Sequence, residues 1–187
     1  MTARRFGFML AVLLAAPATA EDLGKTFEMP AHRALMRVVG SADLTPFESD
    51  GCSGGLSSSW SLVAETFPDF AATYEQAPPW ETCCVIHDRA YHNGGGAMDA
   101  ERSWQARLQA DTALDQCVRG VAERRMGEFE ILYNATPDQI RAAYGTIAGA
   151  MFLAVRFGGG PCSGLPWRWG FGYPSCSVFD SIYPAPD

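Results

Sequence analysis

The chain has 187 residues, with one lysine and 13 arginines against 21 acidic residues, and a formal charge of −7. That length suits one domain, or one domain with a tail. The acidic balance and the lack of any basic run argue against a nucleic-acid partner, and against electrostatic attraction to an anionic membrane.

The first 20 residues read as a signal peptide. Arg4 and Arg5 form a positive n-region, Phe6 to Ala16 an apolar stretch, and Ala18-Thr19-Ala20 a small-residue cleavage site. A mature chain starting at Glu21 keeps 167 of the 187 residues, with 12 basic against 21 acidic and a charge of −9. The expected location is secreted or periplasmic. All six cysteines (52, 83, 84, 117, 162 and 176) fall in that mature part, and an even number in an oxidising compartment favours disulfides, with the pairing itself left open.

In chain order, residues 21–38 read as a short helix or a lead-in. The segment SDGCSGGLSSSW (49–60) is turn-forming. A loop ending in QAPPW precedes a helical segment over 81–93, which NGGG (93–96) stops. Residues 97–119 contain neither Gly nor Pro. Trp104, Leu108, Asp111, Leu114 and Val118 fall near one face of that helix. A further helix is expected over 121–133. Another opens at the Thr136-Pro137 cap and runs to about Phe157. Its apolar core, GTIAGAMFLAV, is 11 residues, too short to span a bilayer. From 158 onward the chain is loop-rich, with Trp167, Trp169, Phe171 and Tyr173. The expected fold is mainly α in a single domain over 21–187, with a core at 45–120 and a helical, loop-rich C-terminal part at 121–187.

The segment CCVIHDRAY (83–91) carries the most chemistry. A zinc knuckle would need reduced thiolates and partner ligands at characteristic spacing, which are missing. A catalytic thiol would leave an odd cysteine elsewhere. Cys83, His87 and Tyr91 recur every four residues and share one helical face. The glycine turn makes the next helix antiparallel. If Cys83 pairs with Cys117, His87 approaches Asp111, since four residues span about 6 Å and six about 9 Å of helix. Cys84 and Asp88 share a neighbouring face. If Cys84 bridges Cys52, the Gly/Ser loop at 51–55 comes beside the Asp88 carboxylate. Loop carbonyls and a carboxylate make a hard-cation site that suits Ca²⁺ best. The two cysteines left, Cys162 and Cys176, then close the C-terminal aromatic loop.

These residues resemble a family. CCVIHDRAY is similar to the CC-x-x-HD-x-x-Y segment of secreted phospholipases A2, GCSGG (51–55) resembles their X-C-G-x-G calcium loop, and ADTALDQC (110–117) resembles their later helix, in the same order. The resemblance covers less than half of the mature chain. Ser53 stands where the family usually has glycine, and Ala90 where a cysteine is frequent. The connection 56–82 is long, and 137–187 finds no counterpart.

The resemblance implies a phospholipase A2-like fold and a calcium-dependent ester hydrolase acting on phospholipid at a membrane or micelle surface. His87 would be the general base that takes a proton from water, Asp111 would set its tautomer, and Tyr91 would steady it. Asp88 and the carbonyls of Gly51, Ser53 and Gly55 would hold Ca²⁺. The expected protein is a monomer and not transmembrane after signal removal. His32 and His92 read as incidental, Asp99 and Asp115 as surface charges, and NAT (134–136) as a helix cap. Trp167 and Trp169 read equally as core or as an interfacial anchor. The alternative function is a catalytically silent, calcium-stabilised lipid-binding or interaction protein on the same scaffold; a purely structural, disulfide-held exported protein is also open.

Overall fold

The computed structural model describes residues 20–52 and 78–181, so the signal-peptide reading and positions 53–77, including Ser53 and Gly55, lie outside the described residues. Among the described residues the fold is helical, with no strand. The described residues form five α-helices: α1 (Ala20–Val39), α2 (Glu81–His92), α3 (Ala100–Arg124), α4 (Met126–Tyr133) and α5 (Pro137–Gly158).

The long helix α3 is the hub, and α1, α2 and α5 all pack against it. Its buried stripe is Trp104, Arg107, Asp111, Leu114, Val118 and Val121, three or four residues apart, as burial of one helical face requires. Arg107 rather than Leu108 occupies the core-facing position; Leu108 is only partly buried. Asp99, expected as a plain surface charge, is exposed but caps α3 by accepting from the Arg102 N–H at 2.8 Å.

The expected break near residue 120 falls instead at Arg125, because Gly120 is accommodated inside α3 and the helix runs on to Arg124. The lead-in at 21–38 is a full helix that continues through Pro30. Proline there forgoes one ladder bond, and burial of Ala34 and Leu35 holds the helix in place.

Between α2 and α3 the chain turns on Gly94, Gly95 and Gly96, which all have positive φ (61°, 69° and 64°). A β-carbon on Gly95 would lie 2.6 Å from that of Ala106, so the turn can be this tight only with glycine.

Helix α5 opens with a full capping box between Thr136 and Gln139. Its residues Ile140, Tyr144, Ala148, Met151 and Val155 form one buried face. An 18-residue stretch of this 22-residue helix has a mean hydropathy of 1.2, so by length and composition it is long and apolar enough to cross a membrane. The 11-residue apolar core understated it, since alanine-rich turns extend the apolar character at the N-terminal end. A helix packed by one face in a protein core meets the same criterion.

Three disulfides tie the frame: Cys52–Cys84, Cys83–Cys117 and Cys162–Cys176. No cysteine is free. The first two are the pairings expected from the two faces of α2 and the third the one expected by exclusion, and all three fit an oxidising compartment. The C-terminal loop is knitted to the end of α2. The Gly170 N–H donates to the Tyr91 carbonyl (2.6 Å) and the Gly172 N–H to the His92 carbonyl (3.0 Å), satisfying acceptors that a helix terminus leaves open. The part beyond residue 120 is therefore not an appendage, since it closes the core around Tyr91.

Candidate active site

Helical periodicity puts His87 and Tyr91 one turn apart on the face of α2 that meets α3, and the Cys83–Cys117 bridge sets the register between the two helices. Asp111 on α3 is fully buried. His87 Nε2 lies 3.0 Å from Asp111 Oδ1, and the Tyr91 hydroxyl donates to the same oxygen at 2.7 Å. A carboxylate only accepts, so Nε2 carries the proton, and Nδ1, on the far side of the ring, is the nitrogen with a lone pair. The imidazole also packs on the Tyr91 ring, with centroids 4.1 Å apart. Burial above all pushes the Tyr91 phenol well above its usual range; the Arg107 charge opposes this and the Asp111 charge and hydrogen bond add to it, so the phenol stays a donor.

Sequence reading missed what lies on the other side of Asp111. Arg156 of α5 donates from Nη1 to Asp111 Oδ2 at 2.9 Å and from Nη2 to Glu28 Oε1 of α1 at 2.7 Å. Arg107, fully buried, donates from Nη1 to Glu28 Oε2 and from Nε to the Tyr91 hydroxyl at 3.3 Å. Its Nη2 donates to the carbonyls of Val155 (2.7 Å) and Arg156 (2.8 Å). The only signal available was an arginine on the apolar stripe of α3, a position where an unpaired charge is too costly to occur.

His32 is not incidental. It is fully buried, with Nδ1 2.8 Å from Ser103 Oγ and Nε2 3.6 Å from Glu28 Oε2. Trp169 Nε1 donates to the same Ser103 hydroxyl at 2.9 Å. Burial holds the His32 imidazole below its ordinary value, with the Glu28 hydrogen bond opposing. Burial raises the Glu28 carboxyl, but His32, Arg107 and Arg156 outweigh it and hold it below the usual range. His92 is buried too, edge-on to Phe47 and Phe171 at 5.4 and 5.1 Å, and so binds the segment before Gly51 to α2.

Asp88 faces the other way. It accepts from the Ser49 hydroxyl at 2.6 Å and borders a cleft of about 290 Å³ with Glu48, Ser49, Asp50, Pro166, Trp167 and Phe171. Burial, and to a smaller degree the Asp50 charge, push the Asp88 carboxyl up, against the Ser49 hydrogen bond and His87. Gly51, next to the Cys52–Cys84 bridge and with a φ of 69°, donates its N–H to the same Ser49 hydroxyl at 3.1 Å. A β-carbon there would meet Glu81 Oε1 at 2.5 Å. Among the described residues, no three His, Cys, Asp or Glu side chains gather as a metal-holding group.

Trp169 is core, fully buried against Tyr91 with ring centroids 4.9 Å apart, whereas Trp167 is only half-buried. The structure therefore brings together His87, Tyr91 and Asp111 as one group, while Asp88, on the next face of α2, is linked to the Gly51 N–H only through the Ser49 hydroxyl. Comparisons with protein-family models, with curated proteins and with solved structures find no match.

Proposed function

We propose that this chain is an exported, calcium-dependent hydrolase of phospholipase A2 type that cleaves an acyl ester of glycerophospholipids with a water activated by His87. The observation that carries this reading is the buried hydrogen bond from His87 Nε2 to Asp111 Oδ1 at 3.0 Å, shared with Tyr91. It makes Nδ1 a proton acceptor with a fixed orientation, which general-base chemistry requires. Water adds through oxygen to the ester carbonyl as its proton passes to Nδ1. The tetrahedral adduct then expels the glycerol alkoxide, which takes that proton, leaving a fatty acid and a lysolipid. Asp111 orients the ring and balances the imidazolium formed on the way.

Asp88, with the carbonyls of Gly51, Ser53 and Gly55, would hold Ca²⁺. What supports this is a carboxylate pushed up by burial and by Asp50 beside a backbone held close through a disulfide, a setting that a hard dication relieves. When bound, the cation supplies Lewis-acid stabilisation of developing negative charge.

One observation favours the second reading, a catalytically silent calcium-stabilised lipid-binding protein: Asp88 borders the cleft and His87 does not. Hydrolysis of phospholipid micelles by the chain from Glu21, with calcium and then with chelator, decides between them. Turnover that chelator abolishes supports the hydrolase; binding without turnover supports the silent protein.

A further inference from the structure

The residues around Asp111 close a ring. From Asp111 Oδ1 it runs to the Tyr91 hydroxyl (2.7 Å), to Arg107 Nε (3.3 Å), through that guanidinium to Glu28 Oε2, across the Glu28 carboxylate to Arg156 Nη2 (2.7 Å), and from Arg156 Nη1 back to Asp111 Oδ2 (2.9 Å). Four helices contribute: α1, α2, α3 and α5. Two carboxylates face two guanidiniums, so the ring is neutral although Arg107 and Asp111 are both fully buried. Buried charges persist when paired and hydrogen-bonded in this way.

We infer that Arg156 and Glu28 are positioning residues for the His87–Asp111 pair; the inference rests on the hydrolase reading for its kinetic part only. The torsion that turns a carboxylate about its Cβ–Cγ bond is broad. His87 and Tyr91 both hold Oδ1, which leaves that rotation unset. Arg156 holds the other oxygen and so fixes the carboxylate plane, and with it the direction of the Oδ1 lone pair that aims the imidazole. Glu28 in turn spans both guanidiniums, one on each oxygen, so α1 braces Arg156 from behind. Neither residue touches the reacting atoms. Their action passes through Asp111.

The experiment compares the parent chain with Arg156→Met, Arg156→Lys and Glu28→Gln, by two readouts at one fixed pH. The first is the low-field proton resonance of the His87 ring N–H in calcium-free protein, assigned by its loss in His87→Gln. The second is kcat and KM on micelles of a short-chain phosphatidylcholine. Arg156→Met should broaden or remove the resonance and lower kcat by about 10²-fold, the scale of a small misplacement, with KM little changed. Arg156→Lys, which keeps a cation against both carboxylates, should retain the resonance and recover most of kcat. Glu28→Gln should weaken both readouts less than Arg156→Met.

An unchanged resonance and kcat in Arg156→Met overturn the inference. So does an equal loss in the Lys and Met variants that tracks a common fall in melting temperature, since that is structural support alone. If Arg156→Met does not fold, the Lys and Glu28→Gln variants decide: Glu28→Gln with parental resonance and kcat overturns it. If the parent hydrolyses no phospholipid, the hydrolase reading fails while the resonance still tests the positioning.

Discussion

Tyr91 and Asp111, on different helices, meet at 2.7 Å through the phenol and Oδ1, and the same phenol oxygen accepts from Arg107. Tyr91→Phe therefore removes a donor from one buried charge and an acceptor from another. Leaving buried groups short of a partner costs about 1–3 kcal/mol. Urea unfolding of the variant should show a loss in that range, and hydrolysis should weaken without being abolished. Parental stability would mean that the hydroxyl contributes nothing net.

Acid should destabilise the fold through α1. The His32 imidazole, facing Glu28 from its own helix, Ser103 and Arg107 from α3 and Arg156 from α5, has a folded pKa below its ordinary value of 6.5. The unfolded chain then binds the proton first, so stability is intact above the ordinary value and falls as pH drops from it toward the folded value. Glu28, also lowered, extends the loss on the acid side as pH falls through the carboxylate range. Asp88, raised, acts in the opposite sense and offsets part of it. Melting temperature followed by circular dichroism from neutral to mildly acid pH should decline, and His32→Asn should flatten the upper part of that decline. A profile identical in the two proteins would contradict the assignment.

The active-site side of α2 was legible because it is local: Cys83, His87 and Tyr91 share a face by periodicity alone, and the Asp111–Cys117 spacing supplies the matching end of α3. The ring around Asp111 was not legible. Glu28 and Arg156 lie 128 residues apart in the chain, and their meeting depends on how α1 and α5 both pack on α3. Arg107 was hidden by its neighbour, because Leu108 satisfies the same helical stripe and is the apolar choice. His32 was passed over since a lone histidine carries no pattern. Trp169 and Trp167 are equivalent in composition, and only the backbone bonds to Tyr91 and His92 decide which one turns inward.

That distinction is testable. Trp169→Ala removes a fully buried ring and should cost about 3–5 kcal/mol. Trp167→Ala, at a half-buried position on the cleft rim, should cost far less and should lower association with phospholipid vesicles. Because the chain is acidic, that association should change little with salt. Binding that vanishes as ionic strength rises would assign it to charge instead.

The glycine turn sets the distance between the two helices of the site. Gly95→Ala must hold a left-handed conformation, worth about 1–2 kcal/mol by itself, and must also push against Ala106. Its melting temperature should fall clearly, whereas Gly127→Ala, with open space around its β-carbon, should leave stability unchanged or improved. Equal melting of the two variants would mean that the turn is not constrained as described.

The most direct test of the central claim is phospholipid hydrolysis measured beside calorimetric calcium titration for the parent, His87→Gln and Asp88→Asn. His87→Gln should bind calcium like the parent while hydrolysis falls by at least ~10²-fold, the scale of a lost general base. Asp88→Asn should lose calcium binding and, with it, activity at ordinary calcium. Full activity in His87→Gln would contradict the account, because the proton acceptor held by Asp111 would then not be the base.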